Sequence, residues 1–145
     1  MLLHKHKKFA QLYPLGGHIE PAELPHEAAL REVFEESGLE VKLIDFCGEV
    51  ADTSSAFVLP APAFLLHENK SAPVQNLDFV YAAITEGEIE SLGELCPMSG
   101  ESKLFFWVGK KEIETGSVIF GGEEYIIPAH IKSIAKMVFE RFIEE

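Results

Sequence analysis

Along the 145-residue chain the spacing of apolar positions changes several times, and each change marks an element. Leu2 and Leu3, followed by the alternation of His4, Lys5, His6 and Lys7, suit a strand over residues 1–8. The run Tyr13-Pro14-Leu15-Gly16-Gly17 predicts a turn, because a glycine pair accepts backbone geometry closed to other residues. From Pro25 to Ser37 the spacing becomes helical. Pro25 suits the first helical position, and Gly38 suits the left-handed cap just past the end, with Leu39 folding back. Patterning typical of strands returns over Val41–Val50 and Ala63–Leu66, the latter held to an edge or a late start by Pro60 and Pro62. Asp78–Thr85 and Lys103–Val108 are rich in aromatic and β-branched residues and predict strands. Between them, Glu86–Glu101 is acidic, carries Gly87, Gly93, Pro97 and Gly100, and reads largely as loop. A final helix is predicted from about Pro128, with Ile131, Ile134, Ala135, Val138, Phe139 and Phe142 on one core-facing stripe. The elements predict an α/β fold, a mixed sheet between helices, in one domain spanning 1–145.

Composition narrows the function. The chain has 24 Asp and Glu against 12 Lys and Arg, a formal net charge of −12. That balance argues against stable nucleic-acid binding, which requires a basic face toward phosphates. It leaves room for a phosphate-bearing substrate if metal ions supply the positive charge. No apolar run is long enough to cross a bilayer; the longest, Ala56–Leu66, is broken by two prolines. Cys47 and Cys96 cannot form a disulfide framework and fit a reduced, cytoplasmic compartment.

The informative stretch is Gly16–Glu40. At 100° per residue, Glu32, Glu35 and Glu36 project within one sector of the predicted helix, and Leu30, Val33 and Phe34 point away toward a core. Like charges at these spacings cost an exposed helix about 0.2–0.5 kcal/mol per pair. Arg31 can bridge to Glu35 at i+4 but cannot neutralise all three carboxylates. A divalent cation can, and hard oxygen donors on a helix face suit Mg²⁺ or Mn²⁺. An acidic helix face taken alone is more often a solvated surface; what changes the weighing is the register of the whole segment.

Gly17, Glu23, Arg31, Glu32, Glu35, Glu36 and Gly38, with aliphatic Val33 and Leu39, fill every defined position of the pattern G-x5-E-x7-R-E-U-x-E-E-x-G-U. With each fixed residue type near 5–7% of ordinary sequence, seven in register arise by chance about once in 10⁹ starts. The pattern is the Nudix box, and the chain resembles the Nudix hydrolases. The flanks agree: a basic, Leu-rich strand before the glycine turn, a β-rich middle, a strand ending in Trp107, a short helical turn at Lys110–Ile113, and a closing helix.

The resemblance implies an α/β/α sandwich and hydrolysis of the pyrophosphate in a nucleoside diphosphate linked to another moiety, by water activated on Mg²⁺, with Mn²⁺ as a substitute. By position, Glu35 and Glu36 are implied as primary metal ligands, and Glu32 as a further ligand or the residue that orients or deprotonates the water. Arg31 is implied as an orienter pairing with box carboxylates, Glu23 among them. The Gly16 carbonyl is implied as a backbone ligand, with Gly17 allowing a close turn and Gly38 closing the helix. A further carboxylate from a later loop is expected, with Glu101 the first candidate and Glu94 the second. His18 and Lys5 are candidates to touch phosphate, against solvated or packing roles for both. His26, His67 and His130 show no metal-ligand spacing; His4 and His6, alternating with Lys5 and Lys7, are candidates to meet a phosphate on one side of the strand, weighed against a solvated strand face. The residues downstream of the box do not name a nucleotide.

Nudix domains usually begin with an additional strand well upstream of the glycine turn, and only 15 residues precede Gly16 here. Three readings stay open: that strand is absent, Met1 is internal to a longer gene, or a partner chain completes the sheet edge as a homodimer. Two other functional classes also remain, a non-catalytic ligand-sensing or interaction domain and isopentenyl-diphosphate isomerase-like chemistry on the same fold. The first typically loses box carboxylates, which are all present; the second needs further acid/base residues that the sequence does not reveal.

Overall fold

The computed structural model describes residues 1–7, 10–45, 56–68, 75–85 and 104–142. In chain order the elements are β1 (Leu2–Lys5), β2 (Leu12–Tyr13), α1 (Pro25–Ser37), β3 (Lys42–Leu43), β4 (Phe64–Glu68), β5 (Asn76–Val80), β6 (Ala83–Ile84), β7 (Phe105–Trp107), α2 (Lys110–Thr115), β8 (Ser117–Phe120), β9 (Glu123–Ile126) and α3 (Ala129–Phe142). They fall into two compact units. One comprises Met1–Gly16, Glu35–Gly38 and Glu94–Glu145, and the other Gly17–Phe34 and Leu39–Gly93.

The first unit is built on an antiparallel sheet in the order β2-β1-β7, with Leu3 opposite Phe106 and His4 opposite both Tyr13 and Phe105. Alternation along β1 sends Leu3 into the core at 0% exposure, and places Leu2 and His4 on the other face. The core is Leu3, Leu12, Phe106, Val108, Ile113, Tyr125, Ile127, Ile131, Ala135 and Phe139. α3 meets its sequence expectation at Ile131, Ile134, Ala135 and Phe139, all buried; Val138 is half-buried, and the Phe142 side chain lies outside the described residues. α2 forms after Gly109 because Glu112 reaches back to accept the Gly109 N–H at 2.9 Å. Its own amide and that of Gly109 hold the Glu112 carboxyl below the ordinary range.

β8 and β9 form a hairpin that the sequence reading did not anticipate, with Val118 opposite Tyr125. Gly121 and Gly122 make its turn at φ of 60° and 83°, the left-handed pair that a two-residue hairpin of matching twist requires. Every ladder among the described residues is antiparallel; parallel pairing enters at the bridge between Gln11 and Ile126.

In the second unit, β4 pairs with β5 from Phe64–Val80 to Glu68–Asn76, and β3 pairs with β6. The continuous strand expected over Asp78–Thr85 is split at Tyr81 and Ala82. β6 pairs with β3 rather than extending β5's ladder, and Ala82 is buried with its carbonyl accepting the Ile44 N–H. Only Lys42–Leu43 of the expected Val41–Val50 strand lies among the described residues as strand. Its later residues, Cys47 included, and Cys96 lie outside the described residues. No described helix is long and apolar enough to cross a membrane.

Candidate active site

The chain enters α1 through a turn that its sequence prepares. Pro21 fixes one corner, Ala22 takes a left-handed φ of 67°, and the Glu23 N–H closes on the Glu20 carbonyl at 3.1 Å. The Glu23 carboxylate accepts the Glu20 N–H at 2.9 Å, and Glu27 does the same for Leu24 at the head of the helix. Gly38, at φ 76°, ends the helix in the left-handed conformation expected of it.

Arg31 organises the residues around this turn. Its Nε donates to Glu23 Oε1 at 2.8 Å and its Nη2 to Glu23 Oε2 at 3.1 Å, a two-pronged pair across eight residues. Nη1 donates to Glu32 Oε1 at 3.0 Å, and Nη2 also reaches the His18 carbonyl at 3.0 Å. Hydrogen bonding to Glu23, then to Glu32, raises the Arg31 pKa above its already high value. The same guanidinium, with the Glu20 amide, pulls the Glu23 carboxyl below the ordinary carboxylate range. Gly17 lies so close to the Glu32 carboxylate that any Cβ at position 17 would overlap it. The box glycine is therefore where the turn passes directly over a box glutamate.

Glu36 occupies a different environment. It is 3% exposed, and its Oε2 accepts the Gly16 N–H at 2.8 Å. Gly16 itself has a φ of 154°, open to glycine. The Gly16 peptide thus turns its amide to Glu36. Phe34, expected in a core, is 41% exposed and lines a shallow apolar groove with Leu30, Leu39, Glu40 and Val41. The expected division of α1 into an apolar buried face and an acidic outer face is corrected at these two residues: the amide partner lets a carboxylate be buried where a phenylalanine is not.

A family model of the NUDIX domain matches residues 1–120. The chain belongs to the Nudix family. It is also similar to a solved Nudix-family hydrolase from Clostridium perfringens, at 33% identity and a TM-score of 0.77, over 99% of this chain and 89% of that one. No curated protein matches. Family and structural likeness together make the chain a hydrolase of Nudix α/β fold.

Mapped onto this Nudix chain, the expected site residues divide into three sets. Gly17, His18, Glu23, Arg31 and Glu32 form one hydrogen-bonded group, entered by His18 through its carbonyl rather than its imidazole. Gly16 and Glu36 form another, and half-buried Glu35 is borne on the same last turn of α1. Glu101 and Glu94 lie outside the described residues. Lys5 holds its ammonium 5.7 Å from the centre of the Tyr125 ring, a cation–π contact. Among the described residues, no three acidic, His or Cys side chains are grouped so as to hold a metal ion. The sequence reading of His4 gave it a phosphate-facing or solvated place and did not anticipate Glu36 beside it. The His4 side chain is 12% exposed rather than solvated, and its Nδ1 lies 3.9 Å from Glu36 Oε1.

Proposed function

We propose that the chain, residues 1–145 acting as one domain, hydrolyses the pyrophosphate bond of a nucleoside diphosphate linked to another moiety. The observation that carries this reading is the complete Nudix box with Arg31 tying Glu23 and Glu32 together, an arrangement a solvated acidic helix has no need of. Mg²⁺, or Mn²⁺ in its place, is the implied cofactor. Its fit rests on the donor set: three carboxylates at i, i+3 and i+4 of α1 and a backbone carbonyl, all hard oxygens. Glu36 supports it further, as a carboxylate 3% exposed whose charge a cation would compensate.

In this reading Glu35, Glu36, Glu32 and the Gly16 carbonyl hold the ion, with Glu101 as the later-loop ligand. When bound, the ion withdraws charge from the phosphates and makes a coordinated water more acidic. Glu32 and Glu35 are the candidates to orient that water and accept its proton. Arg31 keeps Glu32 in place through the pair that also anchors Glu23. Gly17 permits the close turn over Glu32, and Gly38 ends the helix that presents all three carboxylates. His18 and Lys5 are the proposed substrate contacts. The chain is proposed to act in the cytoplasm on small nucleotides, as a homodimer, with neither nucleic acid nor membrane as a partner.

The test is a screen of dNTPs, ADP-ribose, dinucleoside polyphosphates, NADH and capped RNA with Mg²⁺ or Mn²⁺, comparing wild type with Glu36→Gln. Cleavage by the wild type and its loss in the variant are expected. Intact ligand binding without hydrolysis of any substrate would favour a sensing domain. Full activity in Glu36→Gln would overturn the metal assignment.

A further inference from the structure

We propose that His4 is a positioning residue for Glu36, fixing the carboxylate from the side opposite the Gly16 amide; this rests on the reading of Glu36 as a metal ligand. His4 stands on β1, the middle strand of the β2-β1-β7 sheet, on the face away from the Leu3 core. An apolar side chain would satisfy the packing there, as Leu2 does two residues earlier on the same face. The chain instead carries an imidazole, stacked at 20° and 6.4 Å on Phe105, and aims its Nδ1 at Glu36 Oε1. At 3.9 Å the contact is longer than a hydrogen bond, a polar approach between two side chains. The two side chains are 12% and 4% exposed, so the polar edge of the ring faces Glu36 and not solvent.

Glu36 thereby has a polar neighbour at each oxygen. Oε2 takes the Gly16 N–H and Oε1 faces His4. Both supports come from the segment preceding the box, one from a strand centre and one from the turn. Partners that orient a ligating carboxylate in this way commonly govern metal affinity by about 10–100-fold when removed. His4 touches neither ion nor substrate in this reading; it acts through Glu36.

The test measures Mn²⁺ binding to the full chain by electron paramagnetic resonance, alongside thermal melting and hydrolysis. His4→Phe keeps the ring against Phe105 and is expected to weaken Mn²⁺ binding about tenfold while leaving the melting temperature unchanged or raised. A second pair, His4→Gln and His4→Met, is similar in length and keeps or withholds a polar group beside Glu36. Gln is expected to recover most of the affinity, and Met is not. Wild-type Mn²⁺ affinity in His4→Phe or His4→Met overturns the proposal, as does equal loss in Gln and Met, which would make His4 a packing residue. Glu36→Gln separates the two levels. If it abolishes Mn²⁺ binding while the His4 variants bind as the wild type does, only the role of His4 falls. If it leaves binding intact, the metal assignment itself falls.

Discussion

Arg31 shows how a single side chain turns a sequence pattern into geometry. Its planar fork matches the Glu23 carboxylate in two bonds and still has a nitrogen for Glu32, which a lysine cannot do. A consequence follows for pH. The Glu23 carboxyl is held below its ordinary value of 4.5, so its contribution to stability is fully present above that value and is lost as pH falls through the lowered one. The melting temperature of the wild type should therefore fall more steeply below about pH 4.5 than that of Glu23→Gln, in parallel acid melts. Parallel slopes would show that the pair contributes nothing to folding. Gly17→Ala should separate folding from chemistry. The new methyl meets the flexible end of Glu32, which can swing aside, so melting should shift by only a few degrees while turnover falls about 100-fold, as a misplaced group costs. Steady-state kinetics and a melt on one preparation check both halves. At this scale the box residues were legible beforehand because their spacing is local. The burial of Glu36 and the place of His4 were not, since both depend on a strand and a turn far from α1 in sequence.

Elements were legible where a period repeats for several turns and obscure where pairing decides. α3 was readable over its whole length because four buried residues keep helical spacing. The Gly121-Gly122 turn between Ser117–Phe120 and Glu123–Ile126 was the overlooked signal for the β8–β9 hairpin, whose strands do not alternate cleanly: Ile119 and Phe120 are both exposed. The break between β5 and β6 was invisible in an unbroken apolar run, because it falls where pairing passes from β4 to β3, which local sequence does not record. Leu3 carries the most direct element-scale prediction. It is fully buried at the centre of β1, so Leu3→Ala should cost about 2–5 kcal/mol, read as a lower urea midpoint at unchanged slope. A loss under 1 kcal/mol would mean the site collapses around the cavity.

For the molecule as a whole, charge and family membership bear on one another. Seven of the 24 acidic residues lie between Glu20 and Glu40, so a cation at α1 would remove part of the self-repulsion implied by −12. A ligand that binds only the folded state stabilises it by about 2.7 kcal/mol at 100 times its Kd. Saturating Mg²⁺ should therefore raise the melting temperature by several degrees, with EDTA and Glu36→Gln each abolishing the rise. No rise at any concentration up to tens of millimolar would argue against a resident ion. By itself the sequence determined the family, the α1 helix with its two ends, and which carboxylates share a face, since those follow from spacing along a chain of known helical period. The tertiary structure alone decided which of those carboxylates is buried, that Arg31 also donates to the His18 carbonyl, and that a strand histidine stands against Glu36. Those are matters of approach between segments distant in sequence, and local spacing carries no record of them.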